Sequence, residues 1–197
     1  PYGNVDRNCN MKYIHIPLRY QRDIYARDYT AYSIEKAGAK SEDVIITSDA
    51  DEIINPLILQ NMDWFDGYNH YVGLQRTFYY KLNVLREEDW MGSRICNWFK
   101  LRNTSVDQLR QSHQDSYRIE QGGWHWSYFG HINTIEQKLK ACADSHHGSE
   151  DLPEMVDMGK DPVGRSDLYG SVPIDDSFPE YIRNNQEKYS HFIKPWN

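Results

Sequence analysis

The sequence predicts an α/β fold, and three observations carry that prediction. Short β-branched and aliphatic runs alternate with stretches of helical spacing, with no internal repeat and no low-complexity tract. One such run, Asp43-Val44-Ile45-Ile46-Thr47, passes directly into the acidic segment Ser48-Asp49-Ala50-Asp51-Glu52, placing a polar cluster at a strand end. The length, 197 residues against a nominal 150 or so per domain, corresponds to about 1.3 domains, so residues 1–197 are expected to form one domain.

Lys12-Tyr13-Ile14-His15-Ile16 reads as a first strand. From Ile24 to Ala37 the apolar residues Ile24, Ala31, Ile34 and Ala37 fall at helical spacing, and Gly38 is placed to end the helix in a left-handed cap. Residues 43–47 follow as a strand without alternation, the pattern of burial on both faces. Pro56 to Met62 fits a short helix, His70 to Asn83 one long or bent strand, and Ile95 to Leu101 another strand. Ser105-Val106-Asp107-Gln108 has the form of a capping box and opens a short helix ending near Gln111, while Asn133-Thr134-Ile135-Glu136 opens a second. Between them, Gly122-Gly123-Trp124-His125-Trp126-Ser127-Tyr128-Phe129 alternates aromatics as a strand does. Its paired glycines allow close backbone approach, so the segment reads as a cleft wall. Residues 145–175 are rich in Gly, Pro, Asp and Ser and read as a long surface loop with a lid function. Residues 178–193 are expected to form the C-terminal helix, packed through Tyr181, Ile182, Tyr189 and Phe192.

Composition narrows the function. Hydrophobic residues make up 39% and charged residues 26%, and the 6 Trp, 15 Tyr and 6 Phe supply much of the core, with some rings suited to line a sugar-binding cleft. The net charge of −7 and the lack of a basic block argue against a nucleic-acid partner. The sequence has no apolar run of the 18–20 or so residues a bilayer requires, and no signal-like start. The chain therefore reads as soluble, with a cytoplasmic location expected for a bacterial or viral source. Cys9, Cys96 and Cys142 are odd in number and widely spaced, which fits ordinary thiols better than a disulfide framework.

Three constellations can carry chemistry. Asp49 and Asp51 stand at i and i+2 beyond a strand, where hard carboxylate oxygens suit Mg²⁺ or Mn²⁺ held against a diphosphate; an isolated Asp-x-Asp also fits a solvated loop or helix cap. His125, between two Trp, and the pair His146-His147 can complete a metal shell or contact a phosphate, and a hydrogen-bonded core histidine is the alternative for His125. Arg27, Arg94 and Arg110 can each clamp a diphosphate or form a surface ion pair. For a catalytic base, Glu52, Glu87, Glu88, Asp89 and Asp144 all qualify by type, and spacing does not rank them. The marks of serine hydrolases, zincins and P-loop kinases are lacking.

The ordered set Asp43 to Ile53, Trp90-Met91-Gly92-Ser93-Arg94, Gly123-Trp124-His125-Trp126-Ser127 and Lys138 through His146 resembles glycosyltransferase family 17. That family includes β-1,4-mannosyl-glycoprotein N-acetylglucosaminyltransferases. The likeness runs from about Lys12 to a tail spanning Phe178 to Ile193. It implies a GT-A-like nucleotide-diphospho-sugar transferase fold with a mixed central sheet. It also implies inverting transfer of a GlcNAc-like sugar from a UDP-sugar donor to a glycan acceptor, with Mn²⁺ or Mg²⁺. Asp51 would ligate the metal directly, with Asp49 nearer the ribose and metal waters. His125 and His146 would reach metal or phosphates, and Arg27, Arg94 and Trp124 would lie at the donor. Glu52 or Asp144 would take the acceptor proton.

Relatives carry several tens of residues upstream, whereas this chain begins Pro1-Tyr2. The resemblance therefore predicts a fold short of its first strand or strands, completed in one version by homodimerisation. A degenerate transferase that only binds glycan or nucleotide, and a metal-dependent hydrolase built on Asp49, Asp51, His125 and His146, are the competing expectations.

Overall fold

The computed structural model describes residues 18–113, 115–141, 152–162 and 169–196; the strand expected at residues 12–16 lies outside them. The first element, α1 (Leu18–Lys36), is followed by Gly38 at φ +84°, the left-handed residue the sequence placed there. Its inner face packs Ala31 and Ile34 on a cluster of Cys96, Trp98, Leu101, Val106 and Leu109. Burial there pushes the Cys96 thiol up to about 12, so it is an unreactive thiol.

The strands β1 (Val44–Thr47), β2 (Glu52–Ile54), β3 (Tyr71–Tyr79), β4 (Val84–Arg86), β5 (Trp90–Asn97), β6 (Tyr117–Ser127) and β7 (Tyr169–Ser171) form one mixed sheet. β3 is its centre. β6 runs parallel along one edge of β3 from Tyr71 to Tyr79, and β2 pairs antiparallel outside β6. The other edge of β3 is shared by β5, next to Tyr71–Gln75, and by β4, next to Phe78; β1 lies beyond β5 and β7 beyond β4, all antiparallel. The acid segment 48–51 thus turns the chain from the β5 side of the sheet to β2 on the other.

β1 departs from the expected burial on both faces. Among the described residues it pairs only with β5, and Val44 and Ile46 are 40% and 38% exposed while Ile45 packs inward. Among the described residues β1 is thus an edge strand, and its aliphatic run reflects β propensity.

The paired glycines behave as predicted. The Cα of Gly122 carries no substituent that could meet Gly73, where an added Cβ would come within 2.4 Å of backbone, and at Gly123 (φ +148°) it would come within 2.1 Å of the Ile53 carbonyl oxygen. The pairings of β3 with β5 and with β6 slip register at this crossing, around Val72–Gln75.

The other boundaries shift for local reasons. The 70–83 strand ends at Tyr79 because Tyr80 turns to φ +67° and Asn83 folds the chain back, bonding the carbonyls of Val172 (2.8 Å) and Lys194 (2.9 Å). The strand expected over 95–101 begins at Trp90 and stops at Asn97, whose Oδ1 accepts from the Lys100 amide (2.8 Å) and caps α3 (Trp98–Arg102). The 56–62 helix shortens to α2 (Leu57–Gln60). Ser105 forms the predicted capping box with Gln108 at the start of α4 (Val106–Gln111), and α5 (Ile132–Ala141) buries Ile135 and Leu139.

The 145–175 segment is not a uniform loop. It holds α6 (Leu152–Met158) and β7, because Leu152 and Tyr169 pack with Tyr79, Tyr80, Val84, Ile135 and Leu139. The tail helix is interrupted: α7 (Glu180–Arg183) gives way to turns and a short 3₁₀ helix, Ser190–Phe192. Asn185 donates its side-chain amide to the Tyr181 carbonyl (2.7 Å), a side-chain bond of the kind that competes with helix. Ile182, Tyr189 and Phe192 pack on Phe78, Leu82, Trp124, Trp126 and Phe178, whereas Tyr181 is 59% exposed.

Two substitutions test this reading. Ser105→Ala is expected to cost about 1 kcal/mol through loss of the cap, and Gly123→Ala more than about 1 kcal/mol because its φ and the Ile53 backbone both oppose a side chain. Urea unfolding of the two variants measures both, and Gly123→Ala should have the lower midpoint.

Candidate active site

The period-two alternation of β6 decides which residues face which side. Trp124 and Trp126 point to the face covered by Phe178 and the C-terminal segment, with their indole N–H groups on the carbonyls of Ser177 (2.8 Å) and Leu82 (3.1 Å). His125 and Ser127 point the other way, into a cleft of about 490 Å³. Its walls come from α1 (Ile24, Arg27), the 49–51 turn (Asp49, Asp51), α4 (Asp107, Arg110), β5 (Trp90) and α5 (Lys138). The turn is tied to the sheet where Trp126 N–H donates to the Asp51 carbonyl (3.0 Å).

Behind the cleft lies Glu52, with its side chain fully enclosed. It accepts from Arg110 Nη2 (2.6 Å) and Nη1 (3.3 Å), from Trp90 Nε1 (2.7 Å), and from the Asp49 amide (3.1 Å). Arg110, so held, also pairs with Asp49 (2.9 Å). Asp49 takes a second cation, Arg27 (3.2 Å), which in turn meets Asp107 (3.2 Å). Burial works against the Arg27 charge, but Asp49 and Asp107 more than offset it and raise its pKa.

Asp51 sits between His125 Nε2 (3.6 Å) and Lys138 Nζ (2.5 Å). Its partial burial opposes ionisation, yet His125 and Lys138 overcome that and hold the carboxyl well below its ordinary 3.8. The His125 ring stacks on Trp90 at 5.2 Å between centroids, and its buried Nδ1 has no hydrogen-bond partner among the described residues. The Lys138 ammonium lies over the Tyr128 ring, 4.9 Å from its centroid, and Tyr128 holds a left-handed φ of +48°.

The structure therefore brings together Asp49, Asp51, Arg27, His125 and the back side of Glu52. It separates two others. Arg94 is 2% exposed, and its guanidinium donates to the carbonyls of Met91 (2.9 Å), Gly92 (2.6 Å), Leu109 (3.1 Å) and Arg110 (2.7 Å). It is a structural brace between β5 and α4, not an open diphosphate clamp. Burial and the neighbouring Arg110 press its pKa down to about 10, so it stays charged at neutral pH. Trp124 lies on the opposite face of the sheet from the acid pair, because a strand turns neighbouring side chains to opposite sides. Glu52, expected as a candidate base, lies enclosed behind the cleft with donors on both its oxygens, where it positions Arg110. Asp144 and His146 lie outside the described residues.

Lys138 and Trp90 are cleft residues the sequence reading gave no role, whereas Tyr128 lies in the segment it read as a cleft wall. Trp90 and Lys138 fell inside the segments quoted for the resemblance, but Lys138 meets Asp51 across 87 positions, and spacing along a chain carries no sign of such a contact.

Two carboxylates on a cleft rim fit a hard divalent cation, which takes one or two protein carboxylates and completes its shell with phosphate and water. No group of three or more His, Cys, Asp or Glu that could hold a metal occurs among the described residues, so those residues supply only part of such a shell.

The fold and cleft define an α/β protein that gathers an acid pair and several cations at a strand end, a setting suited to phosphate-bearing ligands. The family model for glycosyltransferase family 17 matches residues 9–193, and the chain belongs to that family. It is thereby a transferase with a glycosyl-transfer role, with sugar donor and acceptor as its partners. Neither the comparison with curated proteins nor that with solved structures gives a match. No helix among the described residues is long and apolar enough to cross a membrane.

Two outcomes test this geometry. Asp51 is depressed below 3.8, so its share of stability is complete above about pH 4 and is lost as pH falls toward its folded value. Acid unfolding followed by circular dichroism should show a shallower loss in Asp51→Asn than in the unmodified chain. Arg94→Met should cost about 3 kcal/mol or more by leaving buried carbonyls unpaired, and Arg94→Lys should restore little because one ammonium cannot span them; urea titration of both variants checks this.

Proposed function

We propose that the chain transfers a GlcNAc-like sugar, with inversion, from a UDP-sugar donor to a glycan hydroxyl, on a GT-A-like nucleotide-diphospho-sugar transferase architecture. The observation that carries the reading is the pair Asp49 and Asp51, set by the β1 end on the rim of a cleft that also holds Arg27, Arg110 and Lys138.

The acceptor oxygen attacks the anomeric carbon as the bond from that carbon to the diphosphate oxygen breaks; the acceptor proton passes to a carboxylate and the nucleoside diphosphate departs. Asp51, with Asp49, would hold Mn²⁺ or Mg²⁺, which when bound neutralises charge on the diphosphate. Arg27, held between Asp49 and Asp107, is aimed at the same charge. His125 is fixed by its stack on Trp90, and Trp90 by Glu52, so the imidazole keeps one orientation beside Asp51. With Glu52 enclosed, Asp144 is the other residue that the family resemblance offers as proton acceptor, and His146 the further metal ligand it implies.

Isothermal titration of the chain with UDP and UDP-GlcNAc, each with Mn²⁺ and again with excess EDTA, tests the reading. Binding is expected only with the metal and is expected to vanish in Asp51→Ala. Metal-independent binding, or unchanged binding in Asp51→Ala, would remove the Asp-x-Asp assignment.

A further inference from the structure

We propose that Lys138 is a diphosphate-binding residue that exchanges partners during the cycle, pairing with Asp51 in the empty cleft and with a donor phosphate in the loaded one. This rests on the sugar-transfer reading above and assigns a residue to the same site.

The placement of Lys138 comes first. Its helix, α5, is anchored by Ile135 and Leu139, 1% and 5% exposed, in the cluster with Tyr79, Tyr80 and Tyr128. Its backbone is therefore fixed, and only the four-carbon stem remains to adjust. The stem passes over Tyr128 and delivers Nζ to Asp51 Oδ2 at 2.5 Å, with the side chain 33% exposed at the cleft wall. An ammonium has three donors, and Asp51 uses one oxygen of its carboxylate on it.

Charge balance then gives the exchange its direction. Around the cleft, Arg27, Arg110 and Lys138 are in direct contact with Asp49, Asp51, Asp107 and Glu52. Arg27 and Arg110 each hold two carboxylates, so neither depends on Asp51. Lys138 differs, because Asp51 is the one carboxylate its ammonium contacts among the described residues. A divalent cation taking Asp51 displaces that contact and leaves an ammonium in a partly enclosed cleft without its counter-charge, a costly state unless an anion arrives. A diphosphate next to the metal is such an anion, and a shift of the ammonium within the same cleft suffices to reach it. Lys138 and the metal thus compete for Asp51 but cooperate on the diphosphate.

This makes a prediction of opposite signs. Lys138→Met keeps the length of the stem and its contact with Tyr128 but removes the charge. Mn²⁺ alone should bind Lys138→Met at least as tightly as the unmodified chain, because its competitor for Asp51 is gone. UDP in excess Mn²⁺ should bind it about tenfold or more weakly, the size of one hydrogen bond to a charged group. Lys138→Arg should recover most of the UDP affinity. Titration calorimetry with Mn²⁺ alone and with UDP in excess Mn²⁺, on the full chain and both variants, reads all of this, with thermal melts as a folding check. UDP affinity within twofold of the unmodified chain would overturn the proposal, reducing Lys138 to a neutraliser of Asp51. Weaker binding of both ligands with a lowered melting temperature would overturn it too, as a purely structural role. If the unmodified chain itself failed to bind UDP with Mn²⁺, the sugar-transfer reading would fall, and the proposal with it.

Discussion

One enclosed carboxylate organises the cleft. Glu52 gives both oxygens to Arg110 and shares them with the Trp90 indole and the Asp49 amide. Those three donors come from α4, β5 and the turn after β1. Removing one member of a buried pair of this kind strands the other charge, at about 3–5 kcal/mol, so the elements are held in one arrangement. Through Trp90 the same carboxylate sets the plane of His125, and through Arg110 it fixes the cation on Asp49.

The central strands make that arrangement possible. β6 lies parallel to β3 and antiparallel to β2, and the glycines at 122 and 123 let the three backbones meet without side chains between them. Strand alternation then sorts the aromatic run: Trp124 and Trp126 close the core under the C-terminal segment, while His125 and Ser127 face the cleft. The left-handed φ of Tyr80 and Tyr128, at the ends of these two parallel strands, is local strain kept by the tight packing of the tyrosine cluster.

The cleft carries its ionic partners in advance of any ligand. Both acid-pair carboxylates are already matched by protein cations, Asp49 by Arg27 and Arg110, and Asp51 by Lys138. Such a site is charge-compensated as it stands, so a charged ligand entering it would rearrange ion pairs that already exist. The chain that carries this arrangement belongs to glycosyltransferase family 17.

Much of this was legible along the chain wherever the signal is local. The helix ending at Gly38, the capping box at Ser105 and Gln108, the close approach at Gly122-Gly123 and the acid pair beyond β1 each depend on residues within a few positions of one another. What the sequence could not decide depends on contacts between distant residues. Arg94 and Glu52 have the side chains of a clamp and a base, and only the carbonyls and donors folded around them make one a brace and the other an anchor. The pairing of β1 with β5 and the reach of Lys138 to Asp51 are likewise fixed by the fold, not by composition. The sequence by itself determined which groups can carry charge and where strands end; the tertiary structure decided which of those charges meet, because burial and partners are set by residues far away along the chain.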